Sequence, residues 1–253
     1  MRKPIKKGSP TMRIFITVVL LTSNLAVSAQ ETQTRKARNS AVVSPEINKR
    51  FLDPDLNIDD WVKRFEIESR EVYAQRKKIV TALNLKPGHS IADVGAGTGL
   101  FLQPFSKAVG PRGKVFAVDI SPGMIKHIQT RVKDENVANA VVIHSTNKSI
   151  KLKPASVDRV FICDTYHHFE HYPAMLKSIR SALKPSGQLV IIDFEKIPGK
   201  TRAFLMRHVR ADKETFRTEV QSAGFKFLDE VKIDGFKENY FLRFEKPKTN
   251  SAT

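Results

Sequence analysis

The chain has 253 residues, 43 of them Lys or Arg and 26 Asp or Glu, for a formal charge of +17. That length holds one large α/β domain with its own core, and the single Cys163 excludes an internal disulfide and a cysteine-based zinc cluster. No apolar stretch reaches transmembrane length, no repeat is visible, and the bases are scattered without interleaved aromatics, which argues against a dedicated nucleic-acid surface.

The first residues stand apart. Arg2, Lys3, Lys6, Lys7 and Arg13 form a basic head with no acid, ahead of an apolar run over 14–21 that fades through Thr22, Ser23 and Asn24. Val27-Ser28-Ala29 then offers small residues for cleavage before Gln30. This is the layout of a secretory signal peptide over residues 1–29. The expectation is an exported chain, periplasmic or secreted, with a membrane anchor as the alternative; Met12 is a second candidate start. No cysteine follows the run to carry a lipid. Removing 1–29 takes away five bases and no acid, leaving +12. Residues 30–57 read as a flexible linker, 58–247 as the domain and 248–253 as a disordered tail.

Asp59-Asp60-Trp61 opens a helical pattern that runs to about Leu83, with Trp61, Phe65, Val72, Ile79, Val80 and Leu83 at helical spacing and Asp59 as the N-cap. Lys86-Pro87-Gly88 ends it. Residues 90–94 are apolar apart from Ser90 and Asp93, as suits a central parallel strand. They run into Gly95-Ala96-Gly97-Thr98-Gly99 and a helix over 100–109. Glycine lets the backbone turn sharply and lets a ligand lie on bare peptide, with the helix's N-terminal amides aimed at it. The dinucleotide fingerprint needs its last glycine where Leu100 stands. Asp93 just before the turn would repel a pyrophosphate and suit a cation. Asp119, closing the next apolar run, has the spacing of an acid that holds ribose hydroxyls. Two acids, a glycine turn and a ribose site fit an adenosine ligand with a cationic tail and no phosphates, such as S-adenosylmethionine.

Asp93-Val94-Gly95-Ala96-Gly97-Thr98-Gly99 with Asp119 resembles the first two motifs of the class I S-adenosylmethionine-dependent methyltransferases. The resemblance covers roughly residues 60–246 and is closest to the small-molecule branch that includes the ubiquinone and menaquinone C-methyltransferases. It implies an α/β fold: a Rossmann-like, doubly wound seven-stranded sheet, mostly parallel, whose antiparallel C-terminal strand slots between the fifth and sixth. It implies cofactor contacts at Asp93, Gly95, Ala96, Gly97, Gly99, Asp119 and Ile120. Many relatives carry an Asp on the adenine amine after the third strand; here Ser145-Thr146-Asn147 stands instead, so Ser145 or Asn147 is the candidate for adenine, and Ser145 and Thr146 count among the cofactor contacts. In the family the helix at 59–83 flanks the cleft, which brings Phe65, Arg70, Tyr73 and Arg76 near cofactor or acceptor.

The rest of the chain alternates strand and helix. Ser121-Pro122 caps a helix to about Lys133; strands follow at 140–144, 157–163 and 188–194, with a helix opened by Pro173 between the last two. Such alternation gives a mainly parallel sheet with its ligands beyond the strands' carboxyl ends. A helix at 213–223 and strands at 225–233 and 240–244 close the domain, and 197–210 is expected to pass over the acceptor pocket.

Methyl transfer from a sulfonium is an in-line displacement with a good leaving group, so the protein mainly aligns reactants and excludes water. A His or carboxylate near the methyl group removes the acceptor's proton where one must leave. In the resembled branch the loop after the fourth strand faces the acceptor. Asp164, His167 and His168 are therefore the catalytic candidates, His167 first as base, and Asp164 also reaches the cofactor. Tyr166, His208 and Arg210 are the acceptor-binding candidates. No metal is expected: adjacent histidines in one loop rarely point the same way, and no carboxylate partner motif accompanies His167, His168 and His171. The expected partner is a small-molecule acceptor. A nucleic-acid methyltransferase is the enzyme alternative, but Asp164-Thr165-Tyr166 lacks the Pro-Pro-aromatic signature of amino-group methylases. Export raises a further alternative, a non-catalytic S-adenosylmethionine-binding protein.

Overall fold

Seven strands form one sheet in the order β3-β2-β1-β4-β5-β7-β6. These are β1 (Ser90–Val94), β2 (Lys114–Asp119), β3 (Ala140–His144), β4 (Val157–Cys163), β5 (Leu183–Phe194), β6 (Lys226–Glu230) and β7 (Asn239–Glu245). The structure is a computed structural model that describes Met1 and residues 45–248. The signal-peptide segment 1–29, the linker up to residue 44 and the tail from 249 lie outside the described residues. No helix among the described residues is long and apolar enough to cross a membrane.

From β3 to β5 every neighbouring pair is parallel. β7 is antiparallel to both of its neighbours and lies between β5 and β6, the slot expected from sequence. β4 over 160–163 and β5 over 189–192 are continuous apolar runs because they are covered on both faces. Alternate residues feed opposite cores: Ile162, Leu189 and Ile191 pack with Leu176, Ile179, Phe216 and Val220, whereas Phe161, Val190 and Ile192 pack with Leu83, Phe101, Phe105 and Val109. Each of these side chains is essentially solvent-free, which favours folding by roughly 1.5–3 kcal/mol apiece.

The crossover helices are α4 (Leu102–Val109), α5 (Pro122–Asp134) and α6 (Tyr172–Ala182). Ser121 caps α5, its hydroxyl accepting from the Met124 amide, with Pro122 at the first turn as expected. α4 starts two residues later than the sequence pattern suggests, since the glycine turn continues through Phe101. The tail adds α7 (Ala203–His208) and α8 (Lys213–Ser222), the latter capped by Asp212 through the Thr215 amide at 2.8 Å.

The helix expected over 59–83 is three: α1 (Ile58–Phe65), α2 (Glu71–Ala74) and α3 (Arg76–Ala82). Its N-cap is Asn57, not Asp59. Tertiary bonds explain the break after Phe65. The Glu66 carboxylate accepts from Thr98 at 2.7 Å and from Arg131 at 2.5 Å, and Arg70 turns back to the Phe65 carbonyl and out to Asp164. These partners hold 66–70 out of helical geometry. Glu71 then accepts backbone amides of Lys237, Glu238 and Asn239 at 2.8–3.2 Å, tying α2 to the start of β7. Packing on the domain also begins ahead of residue 58: the buried Asn48 side chain donates to the His168 carbonyl at 3.0 Å and to Glu170 at 2.9 Å.

Candidate active site

Beyond the carboxyl ends of β1, β2 and β4 lies a cavity of about 880 Å³. At one end is the glycine turn. The amides of Gly95 and Ala96 donate to the Val118 carbonyl, which locks the turn to β2. Gly97 has φ +54°, and a Cβ built there would meet nothing nearer than the Phe65 ring at 3.8 Å. Its bare face is therefore open to the cavity. Gly95 differs: a Cβ there would lie 2.3 Å from the Thr165 methyl. Gly99 is packed against Leu102 and does not line the cavity, unlike Gly95, Ala96 and Gly97.

Asp93 and Asp119 line the same wall, both buried. Asp119 Oδ2 accepts from the Gly97 amide and Oδ1 from Ser121, each at 2.8 Å, and the Ile120 amide assists. Burial still lifts its carboxyl above the ordinary range. Asp93 is pushed up to about 8, by burial first and then by the charge of Asp119. The amides make Asp119 the better home for the negative charge and leave the shared proton to Asp93. The carboxylate oxygens of Asp119 keep lone pairs for hydroxyl donors. Ile120, Ser145, Thr146 and Asn147 continue the wall. An open glycine face, a hydroxyl-accepting acid and a second acid suited to a cation fit an adenosyl sulfonium.

Asp164 stands at the far side in left-handed conformation, φ +49°. It binds Arg70 at 2.6 Å and Asn239 at 2.7 Å. Burial raises its carboxyl, with Arg70 opposing. Both oxygens are thus engaged by protein donors, making Asp164 the clasp that holds the α1–α2 segment over the cavity. Phe65 and Arg70 line it; Tyr73 and Arg76 stack on each other and are not among its lining residues.

The other end of the cavity is built of histidines. His167, 1% exposed, bonds through Nδ1 to Asp193 Oδ1 at 2.7 Å, and its amide donates to Asp193 Oδ2 at 3.1 Å. Asp193 also accepts from the Phe194 amide, which makes it the acceptor toward His167 Nδ1 and leaves Nε2 as the free nitrogen. That Nε2 is buried and has no hydrogen-bond partner among the described residues. His168 Nδ1 meets Asn48 Oδ1 at 3.2 Å. His208 reaches in from the end of α7, as expected of 197–210. The rings of His167 and His168 lie 4.3 Å apart between centroids, and His208 lies 4.9 and 5.1 Å from them. Burial first, then the imidazoles of His167 and His208, pushes His168 well down; burial first and then His167 lower His208, with Asp193 opposing. The expectation that adjacent histidines diverge is overturned, because the short turn Tyr166–His168 aims both rings toward α7.

Tyr166 and Arg210, expected to bind the acceptor, face the core instead. The Tyr166 hydroxyl donates to Glu219 at 3.0 Å, and Arg210 grips the same carboxylate with both terminal nitrogens, at 2.7 and 2.5 Å. The guanidinium also lies over the rings of Tyr172 and Phe216. Glu219 is buried on α8 and draws both partners inward, away from the cavity. Sequence reasoning missed Asp193 and Asn48. Asp193 had a readable signal, an acid at the end of an apolar strand like Asp119; Asn48 had none.

Residues 91–187 match a family model described as a methyltransferase domain. Ubiquinone/menaquinone biosynthesis C-methyltransferases of Cupriavidus pinatubonensis and Burkholderia orbicola are 28% and 29% identical to the chain over 118 residues. The match takes in 47% of this chain and 48% of each relative, so the chain spans about half the length of the curated relatives it matches. The crystal structure of a SAM-dependent methyltransferase from Aquifex aeolicus is similar with a TM-score of 0.66 and 26% identity, over 74% of this chain and 97% of that one. The sheet order, the glycine turn with its two acids, and these likenesses together support a class I S-adenosylmethionine-dependent methyltransferase.

Proposed function

We propose that the chain binds S-adenosylmethionine along the wall from Asp93 to Thr146 and methylates a small-molecule acceptor held at the histidine end. The observation that carries this reading is the open face of Gly97 beside Asp119, in one cavity with the histidine cluster. The cofactor, when bound, supplies a methyl group on a sulfonium, so no strong acid is needed for the leaving group. What the chain's residues do is align and enclose. Asp119 takes the ribose hydroxyls, Asp93 faces the cationic end, and the Arg70–Asp164 clasp keeps water out. At about 880 Å³ the cavity lies near the top of the range for ligand sites and leaves room for two ligands. His167, oriented by Asp193, turns Nε2 toward the end of the cavity that holds the acceptor. We also read residues 1–29 as an export signal, on their basic head, apolar run and small-residue site.

Calorimetry tests the first half. S-adenosylmethionine should bind saturably with one site per chain, and Asp119→Ala should weaken it at least tenfold. Unsaturable uptake, or equal affinity in the variant, would overturn the reading. Methyl transfer is then checked by following S-adenosylhomocysteine release against phenol, thiol and quinol acceptors.

A further inference from the structure

We propose that His167, His168 and His208 form a binding site for one divalent transition-metal ion of the zinc class, with an open position toward the acceptor end of the cavity. Each of the three offers one ring nitrogen, and these nitrogens all lie within 4.8 Å of one another. Three observations make this more than a crowd of rings. Nδ1 of His167 is held by the fully buried Asp193, the carboxylate–histidine arrangement that fixes ring orientation and raises ligand basicity at metal sites. Nδ1 of His168 is held by Asn48 Oδ1. Nε2 is therefore the nitrogen each has left to offer, and that of His167 is buried and unpartnered among the described residues. Two lone-pair nitrogens brought together have no hydrogen to share, and a cation between them resolves the conflict.

Three neutral imidazoles with a vacant fourth position are a donor set for Zn²⁺, and imidazole also suits Co²⁺, Ni²⁺ and Cu²⁺. Metal–nitrogen bonds of about 2.0–2.1 Å require the three nitrogens to close up by roughly an ångström. The half-buried His208, on the last turn of α7, is the side chain with room to make that move. Within the methyl-transfer reading, the ion holds the acceptor through an oxygen or sulfur that has lost its proton to solvent, beside the cofactor's methyl group. The metal site itself does not depend on that reading.

The test uses the full chain without a histidine tag, stripped with chelator and dialysed against Zn²⁺ or Co²⁺. Elemental analysis should find one ion per chain. The Co²⁺ form should show the intense visible bands of a four- or five-coordinate site. His208→Gln and His167→Gln should each lose the ion, and Asp193→Asn should weaken it 10- to 100-fold. S-adenosylmethionine affinity, measured on the same metal-free samples, should persist in His208→Gln and so certify its fold. Sub-stoichiometric metal in the wild type, or full retention in both histidine variants, would overturn the proposal. Metal loss with cofactor binding intact separates this outcome from failure of the methyltransferase reading.

Discussion

A single proton on Asp93 decides how the cofactor wall meets a cation. Burial beside Asp119 lifts this carboxyl to about 8, whereas in the unfolded chain it ionises near 4. The folded state thus holds a proton that the unfolded chain has released, and the cofactor-free protein loses stability as pH rises between those two values. Binding of a cation runs the other way, because it favours the ionised carboxylate and expels the proton. Affinity for S-adenosylmethionine should climb with pH toward 8, by up to about tenfold per unit, and level off above. Asp93→Asn should flatten the part of the curve that belongs to the protein; identical curves for wild type and variant would show that Asp93 keeps its proton. The glycines separate in the same way. Gly97→Ala places a methyl group in open cavity at a left-handed φ, so about 1–2 kcal/mol of stability is lost and cofactor affinity falls tenfold or more. Gly95→Ala drives a methyl group into Thr165, and the loss there should fall chiefly on stability. Denaturant unfolding paired with calorimetry distinguishes the two.

At the scale of elements, legibility follows burial. The strands could be read because the central ones are covered on both faces, which gives apolar runs in β1, β2, β4 and β5, and the acids Asp93 and Asp119 mark where the ligand wall begins. Order within the tail was legible only through the family resemblance. The helix over 59–83 was misread because its hydrophobic spacing survives the break; what interrupts it are Thr98, Arg131 and Asp164, partners that lie at least 32 residues further on. Tyr166 and Arg210 were misplaced for a similar reason. Both answer to Glu219, an acid on α8 that sequence gives no cause to bury. That knot carries its own prediction. Arg210→Ala would remove the charged partner of a buried carboxylate, at a cost of about 3–5 kcal/mol in denaturant unfolding, while cofactor affinity, measured well below the midpoint, stays within twofold. An Arg210→Ala protein of wild-type stability would mean that the ion pair with Arg210 is not what holds Glu219 in place.

For the whole molecule, the wall of the cavity is made by two kinds of structure. One side is sheet edge, backed by the apolar cores. The other is the segment from residue 48 to α2, which is held down largely by polar contacts: Asn48 to His168 and Glu170, Glu66 to Thr98 and Arg131, Arg70 to Asp164, and Glu71 to the amides opening β7. α1 contributes no buried residue to either core. Elements with few buried apolar contacts open at lower free energy than the core. Hydrogen exchange should therefore find α1 and α2 exchanging ahead of β1 and β4 in the cofactor-free protein. S-adenosylmethionine lies beneath this segment in the proposed complex, so opening it requires release of the cofactor. At a hundredfold excess over Kd the added protection is about 2.7 kcal/mol, or close to a hundredfold slower exchange across α1 and α2. The edge strand β6 does not line the cavity, and its rates should not change. Equal slowing of β6 would point to a global rather than a local closure, and no slowing of α1 would mean that the cofactor enters and leaves without lifting this cover.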